Sequence, residues 1–103
     1  MTNKYRVIVS ERAMQMLVSH AAFLSRISID AAQRLVAAFE KNAASLEMMP
    51  HRCPRFNQPY IPRDKYRFLL FEKRYMLLFQ IRDETVYIDF VLDCREDYHW
   101  LIE

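Results

Sequence analysis

A polar segment near the C-terminus carries the residues with the clearest chemical potential. Arg95, Tyr98 and His99 follow a run of apolar and β-branched residues and lie within a few positions of one another. Arginine binds phosphates and carboxylates, and tyrosine and histidine exchange protons or stack on unpaired bases. The segment is therefore a candidate site for an anion such as RNA. The alternative is structural, because neighbouring acidic side chains can hold the arginine in a salt-bridge network.

Positive charge is concentrated in the middle of the chain. Residues 51–74 contain seven Lys or Arg against two Asp or Glu, whereas residues 75–103 contain two against seven. This distribution favours a nucleic acid or an acidic protein as partner, although a solvated face is the commoner reason for a charge run. The basic residues of the middle segment are Arg52, Arg55, Arg63, Lys65, Arg67, Lys73 and Arg74.

Cysteine and histidine offer weaker candidates. Cys53 and Cys94 are far apart and lack the spacing of a zinc site, so both are expected to be reduced thiols. Cys94 lies beside Arg95, a setting that can activate a thiol nucleophile, but without a His-Asn pairing a packed thiol is favoured. His51 is interpreted as a surface residue and His20 as a half-buried packing residue. No metal or organic cofactor is predicted.

The composition is that of one folded domain covering residues 1–103. With 103 residues, of which 52% are apolar, the chain can bury a single modest core. The sequence has no run of about eighteen apolar residues, and its N-terminus lacks an apolar signal-peptide core. We therefore expect a soluble cytoplasmic protein without a membrane partner.

Hydrophobic periodicity predicts a strand and two helices in the first half of the chain. Residues 4–9 alternate in polarity and are rich in β-branched side chains, which predicts a strand. Ser10 and Ser28 stand where N-caps are expected, and apolar residues recur at helical spacing after each of them. The first predicted helix covers residues 11–25, and the second ends at Pro50. Their short connection predicts an antiparallel hairpin packed on a sheet.

The second half predicts three more strands joined by tight turns, at Tyr66–Phe71, Tyr75–Ile81 and Thr85–Leu92. Residues 50–65 hold all four prolines, so we expect an ordered but irregular connection there. The order of the elements predicts an α+β fold in two layers.

The absence of glycine constrains the turns. Where a tight turn needs a positive φ angle, the chain must use residues such as Asn57, Asp64 and Asp83, or form longer loops instead. Aromatic side chains are expected to pair across the sheet, where such neighbours stabilise register. The expected members of this set are Tyr75, Phe79 and Tyr87.

The order of elements and several local motifs together resemble the RelE/ParE superfamily of bacterial toxins. The motifs are Ser28 opening the second helix, residues 46–50 closing it, Arg67 starting the second strand, and residues 91–97 at the end of the last strand. The resemblance covers nearly the whole chain. It implies a two-layer α+β fold with an N-terminal strand, an antiparallel helical hairpin and a three-strand antiparallel meander. It also implies the toxin of a type II toxin-antitoxin system, with an antitoxin encoded next to it.

Two activities are known in the superfamily, and the preferred hypothesis is RelE-like cleavage of messenger RNA at the ribosome. In that reaction a 2′-hydroxyl attacks the adjacent phosphate, so cations must hold the phosphate while other groups exchange protons. The catalytic residues implied by the resemblance are Arg95, Lys65, Tyr98 and Arg74. The RNA-binding residues implied with them are Arg67, Arg63, Arg55, Arg52, Lys73 and His99.

The sequence departs from the family pattern at Met76, where an arginine often follows the aromatic residue that opens the third strand. Arg74 is the nearest substitute. The alternatives are a ParE-like protein that inhibits DNA gyrase through its helical hairpin, residues 11–48, and a family member without toxicity. In each case the antitoxin is expected to lay a segment that folds on binding across the basic surface of residues 51–74.

Overall fold

A computed structural model describes residues 4–59 and 61–95 of the protein. The elements in chain order are β1 (Arg6–Val9), α1 (Glu11–Ser25), α2 (Ile29–Ser45), a short 3-10 helix (Pro50–Arg52), β2 (Arg67–Phe71), β3 (Tyr75–Arg82) and β4 (Thr85–Asp93). This order confirms the predicted strand, helical hairpin and three-strand meander. Within the described part of the chain, no helix is both long enough and apolar enough to cross a membrane.

The two helices begin at the predicted serine caps. The Ser10 hydroxyl accepts a hydrogen bond from the backbone N–H of Ala13 (3.0 Å), and the Ser28 hydroxyl accepts one from Ala31 (3.1 Å). Each cap satisfies a backbone donor that has no partner within its helix. The α2 helix ends at Ser45, before the predicted boundary, because the following turn tightens into 3-10-type hydrogen bonds.

Within the described residues, the sheet contains four strands in the order β1-β4-β3-β2. β1 runs parallel to β4, and the other neighbouring pairs are antiparallel. The helical hairpin covers one face of this sheet, which we call the helix face. Leu17 of α1 and Leu35 and Phe39 of α2 are buried in one cluster with Phe79 and Ile88 of the sheet. This cluster is the main hydrophobic core.

A second, smaller cluster covers the opposite face of the sheet, which we call the loop face. Phe56 and the partly buried Ile61 come from the proline-rich connection, and they pack with Leu78 and Phe90 of the central strands. The connection is therefore ordered, as predicted, and it also acts as a cover for apolar strand residues. Met76 is buried in the same cluster, so the side chain at the family's arginine position faces a core.

The pairing of β3 with β4 contains a β-bulge and differs from the predicted aromatic pairing. Leu78 pairs with Phe90, but the next residue of β3, Phe79, pairs with Ile88, which leaves Asp89 as the extra residue. The expected pairing of Tyr87 with Phe79 is wrong, because the register that starts at Arg82 and Thr85 beside the turn places Tyr87 elsewhere. Tyr87 lies opposite Gln80, and Tyr75 lies opposite Asp93.

Five residues other than glycine adopt positive φ angles within the described ranges: Met49, Asp64, Glu72, Lys73 and Asp83. The predictions for Asp64 and Asp83 are confirmed, whereas Asn57 does not adopt this conformation. The β2–β3 turn instead uses Glu72 and Lys73 in succession. A left-handed conformation costs a residue with a Cβ atom about 1 kcal/mol, so the strand pairing on each side must hold this turn in place.

Candidate functional site

The outer edge of β4 is covered partly by a strand and partly by a helix. β1 pairs with β4 only as far as Ile88. Beyond that point, Arg12 Nε donates a hydrogen bond to the Asp89 carbonyl (3.3 Å), and His20 Nε2 donates one to the Val91 carbonyl (2.9 Å). These α1 side chains replace a neighbouring strand as partners for the exposed edge. The bond from His20 fixes its proton on Nε2, since a carbonyl only accepts.

An open groove of about 770 Å³ lies between this part of α1 and the ends of β3 and β4. One wall consists of α1 side chains at helical spacing, from Arg12 to Phe23. The other wall consists of Tyr75, Asp93 and Arg95. The groove has a size typical of ligand sites, roughly 300–1,000 Å³, and combines apolar surface with a few convergent polar groups. It is the candidate site of the described chain.

Arg95 is held in this groove by a two-pronged ion pair with Asp93. Its Nε lies 3.1 Å from Asp93 Oδ1 and its Nη2 lies 2.7 Å from Oδ2, while its backbone N–H also donates to Oδ1 (3.0 Å). The hydrogen bond from the Arg95 side chain lowers the pKa of the Asp93 carboxyl, although burial acts in the opposite direction. The Asp93 side chain is 8% exposed and that of Arg95 is 55% exposed. Arg95 therefore forms the salt bridge that the structural alternative predicted, and its guanidinium also faces the groove.

Arg12 is the groove residue that sequence reasoning missed. Its guanidinium carbon lies 4.0 Å from the centroid of the Phe90 ring, in addition to the hydrogen bond from Nε to the Asp89 carbonyl. Among residues 4–59 and 61–95, no carboxylate forms an ion pair with it. No sequence signal marks Arg12, because its role depends on where β1 stops along β4.

The bulge residue Asp89 forms hydrogen bonds both with Arg12 of the groove and with residues beside the loop face. Its carboxylate accepts hydrogen bonds from the Tyr66 hydroxyl (3.1 Å) and the Gln80 amide (2.7 Å), while its carbonyl accepts the bond from Arg12. Burial raises the pKa of Tyr66 to about 12, and the negative charge of Asp89 adds to the effect. The extra residue in β4 therefore binds Arg12 at the edge of the sheet through its carbonyl, and Tyr66 and Gln80 through its carboxylate.

Two of the predicted RNA-binding arginines, Arg52 and Arg67, hold parts of the fold. Arg52 Nη1 donates to the carbonyls of Met48 (2.7 Å) and Met49 (3.1 Å), which satisfies acceptors beyond the end of α2. Arg67 Nη1 donates to the carbonyls of Cys53 (2.7 Å) and His51 (3.2 Å) and so anchors the proline-rich connection. A guanidinium with these bonds is less available to a phosphate.

The remaining predicted residues are distributed over two ends of the sheet. Arg67 pairs with Phe79, and Arg74 immediately precedes Tyr75, which lies about 13 Å from Phe79 along the strand direction. The Arg74 carbonyl accepts a hydrogen bond from the N–H of Cys94 (2.7 Å), the residue before Arg95. The backbones of Arg74 and Arg95 therefore lie close together.

Lys65 and Arg55 lie on the side of Arg67. The Lys65 ammonium is 5.3 Å from the Tyr66 ring centroid, and Arg55 forms an exposed ion pair with Asp64 (3.4 Å). Arg63 and Lys73 are exposed. Tyr98 and His99 lie outside the described residues. The roles proposed for all of these side chains in binding or cleaving RNA stay predictions.

The other candidates from the sequence occupy ordinary environments. His51 is exposed and meets the ring of Tyr5 edge to face, with centroids 6.1 Å apart. Burial raises the pKa of the Cys53 thiol, and Cys94 is half-buried. Across the described ranges, no group of three or more His, Cys, Asp or Glu side chains is arranged to hold a metal ion.

Comparison with known proteins identifies the family. A sequence profile described as the ParE toxin of the type II toxin-antitoxin system parDE matches residues 7–98. The fold is similar to a chain in a structure described as the chromosomal ParDE system from P. aeruginosa, with a TM-score of 0.71 and 13% identity over 89% of this chain and 98% of that chain. A search of curated proteins found no match. Because the profile match spans nearly the whole sequence, this protein belongs to the ParE toxin family of type II toxin-antitoxin systems.

Proposed function

We propose that this toxin acts by binding DNA gyrase, and that a cognate antitoxin neutralises it. Family membership supports this proposal over RNA cleavage, because ParE-like members of the superfamily act on gyrase without needing a catalytic residue. Both gyrase and messenger RNA are cytoplasmic, so we expect the protein to act in the cytoplasm.

The observation that carries the proposal is an apolar surface at the closed end of the helical hairpin. Phe23, Ile27 and Ile29 lie within seven residues of one another and are 57%, 76% and 66% exposed. We call these three residues the hairpin tip. Single exposed apolar side chains are ordinary, but a group of large ones at one place marks an interaction site. This is the segment through which a gyrase-binding member would act.

The state of the basic residues adds support. Arg52 and Arg67 are committed to backbone carbonyls of the fold. Arg67 begins β2, whereas Arg74 lies beyond the other end of that strand, immediately before β3. A ribonuclease would need its cations to converge on a single phosphate. A protein that acts by binding has no such requirement.

The second candidate, RelE-like cleavage of messenger RNA, is favoured by one observation. Arg95 faces the groove together with the imidazole of His20 and the phenol of Tyr75. Cations and proton-exchanging groups are the components that cleavage through a 2′-hydroxyl needs. In this hypothesis Arg95 contacts the phosphate directly.

Induced expression in a bacterial host separates the two candidates when DNA supercoiling and transcript integrity are followed in the same culture. We expect loss of supercoiling and DNA damage while transcripts stay intact. Ile27→Asp should abolish this effect, whereas Leu70→Asp, at a 52% exposed apolar residue on β2, should preserve it. Rapid transcript cleavage with normal supercoiling, abolished by Arg95→Ala, would overturn the proposal in favour of the ribonuclease.

A further inference from the structure

The α1 helix carries apolar side chains on its outward side as well as on the side that faces the core. Leu17 and Leu24 are buried in the core cluster. Met14 and Val18 lie one turn apart on the outward side and are 43% and 60% exposed, and the exposed Ala22 follows one turn later. We call Met14, Val18 and Ala22 the outer stripe. Large exposed apolar side chains grouped in this way mark an interaction surface.

The surface around the outer stripe has a shape that can receive the side chains of another helix. A shallow open groove of about 450 Å³ follows it along α1. Its lining residues form two overlapping sets with the spacing i, i+3, i+4, i+7, and together these sets comprise Glu11, Met14, Gln15, Val18, Ser19 and Ala22. Four helical residues at this spacing surround a hole into which a side chain of a packed helix inserts. The occupant that fits is therefore a helix with exposed apolar side chains one turn apart.

The outer stripe of a second copy meets this description. Met14 and Val18 are four residues apart, and so are the centres of the two holes, which are formed by residues 11–18 and 15–22. When two α1 helices pack antiparallel, Val18 of one copy enters the first hole of the other copy while Met14 enters the second hole, in a single register. A twofold axis repeats both insertions in the opposite direction, so the surface is complementary to itself.

The charges at the ends of α1 favour the antiparallel arrangement. Glu11 begins the helix and Arg26 follows its last residue, and both side chains are exposed. Neither forms an ion pair within residues 4–59 and 61–95. Antiparallel packing directs each Glu11 towards the Arg26 end of the other copy, whereas parallel packing would bring like charges together. The polar residues that line the groove between these ends, Gln15 and Ser19, are uncharged.

We propose that the outer stripe is the interface of a homodimer in which two α1 helices pack antiparallel about a twofold axis. The inference goes beyond the proposed function and does not depend on it. The two hairpin tips lie at opposite ends of the paired helices, so both stay accessible to gyrase. A single pair of short helices buries less than the roughly 1,200–2,000 Å² of a stable complex, so association should be weak and should depend on concentration.

Sedimentation equilibrium of the full-length toxin, at concentrations from about 10 μM to about 1 mM, measures this association. Val18→Asp would bury a carboxylate against the apolar stripe of the other copy and should raise the dimer Kd about tenfold or more. Leu70→Asp makes the same kind of change at a 52% exposed residue of β2 and should leave the Kd within about twofold. Circular dichroism checks that both variants are folded, as expected for substitutions of exposed residues.

A charge exchange tests the orientation of the helices. Glu11→Arg and Arg26→Glu should each raise the Kd about three- to tenfold, because each leaves like charges at both ends of the helix pair. An equimolar mixture of the two variants should recover the wild-type affinity, since both ends of the mixed dimer again join opposite charges. Glu84→Arg and Arg63→Glu alter the net charge equally at exposed positions outside α1 and should leave the Kd within about twofold.

Several results would overturn the proposal. A wild-type protein that stays monomeric at about 1 mM would do so, and so would a dimer that Val18→Asp leaves intact. Exchange variants that associate as well as wild type, or whose mixture recovers no affinity, would exclude the antiparallel pair. A monomeric wild type combined with loss of gyrase inhibition in Val18→Asp would assign the outer stripe to gyrase instead. Because sedimentation uses the toxin alone, failure of the dimer would leave the separate test of gyrase inhibition unaffected.

Discussion

Removal of the Arg95 side chain should cost stability as well as any function that it has. Arg95→Ala deletes two charge-assisted hydrogen bonds, of 3.1 and 2.7 Å, to the carboxylate of Asp93, whose side chain is only 8% exposed. Each such bond contributes about 1.5–3 kcal/mol when it is shielded from water, but the guanidinium is 55% exposed and solvent weakens the pair. We expect the free energy of unfolding to fall by about 2 kcal/mol, out of the roughly 5–15 kcal/mol typical of a domain.

The loss should depend on pH in a defined direction. The Arg95 hydrogen bond holds the pKa of Asp93 below its ordinary value in the folded state. A group with a lowered folded pKa contributes stability above its unfolded pKa, and that contribution disappears as the pH falls through the folded pKa. The difference between wild type and Arg95→Ala should therefore be full at about pH 7 and should shrink at about pH 3.

Urea denaturation at both pH values measures this difference, and the chain offers a matched control. Arg55 forms an ion pair with Asp64 in which both side chains are half exposed, at 53% and 50%. Arg55→Ala should cost less than about 0.5 kcal/mol at either pH. A loss for Arg95→Ala that equals this control, or that stays the same from neutral to acidic pH, would refute the assignment of the Asp93–Arg95 pair.

Three further predictions concern the groups that position the site. Asp89→Asn removes the negative charge beside Tyr66 but keeps a hydrogen-bond acceptor, so the pKa of Tyr66 should fall from about 12 while remaining above its ordinary value. Ultraviolet titration measures this pKa, with Tyr66→Phe as the control. An unchanged pKa would contradict the contribution of Asp89. Ser28→Ala should lower the free energy of unfolding by about 1 kcal/mol through loss of the α2 cap, and no loss in urea denaturation would show that the cap is dispensable. Arg67→Met should lower it by about 1–2 kcal/mol and speed proteolysis of the proline-rich connection; cleavage at the wild-type rate would argue against Arg67 as its anchor.

The elements that depend on local signals were predictable from the sequence. The serine caps at positions 10 and 28 and the helical spacing that follows them gave the hairpin, since a cap and its helix lie within one turn of each other. The β3–β4 turn was predictable for the same reason, because Asp83 supplies a positive φ angle where the chain turns. These features do not require knowledge of which strands are neighbours.

Features set by contacts between distant parts of the chain were not predictable. The bulge at Asp89 lies where β4 pairs with β3 on one edge and meets α1 on the other, and neither relation is visible in the residues around it. Arg12 becomes a site residue because β1 stops at Ile88 and leaves the Asp89 carbonyl for its Nε. The sequence predicts Arg52 and Arg67 as surface cations, but both donate hydrogen bonds to backbone carbonyls. Every residue has such a carbonyl, so no sequence pattern identifies these acceptors.

The central claim, that this toxin binds gyrase through its hairpin tip, is tested most directly with purified components. Supercoiling of relaxed plasmid by gyrase would be measured with wild-type protein, with Ile27→Asp and with Leu70→Asp, after circular dichroism shows that all three are folded. We predict that wild type and Leu70→Asp inhibit supercoiling and bind gyrase, and that Ile27→Asp does neither. Full supercoiling activity at saturating wild-type protein, or equal inhibition by Ile27→Asp, would contradict the claim.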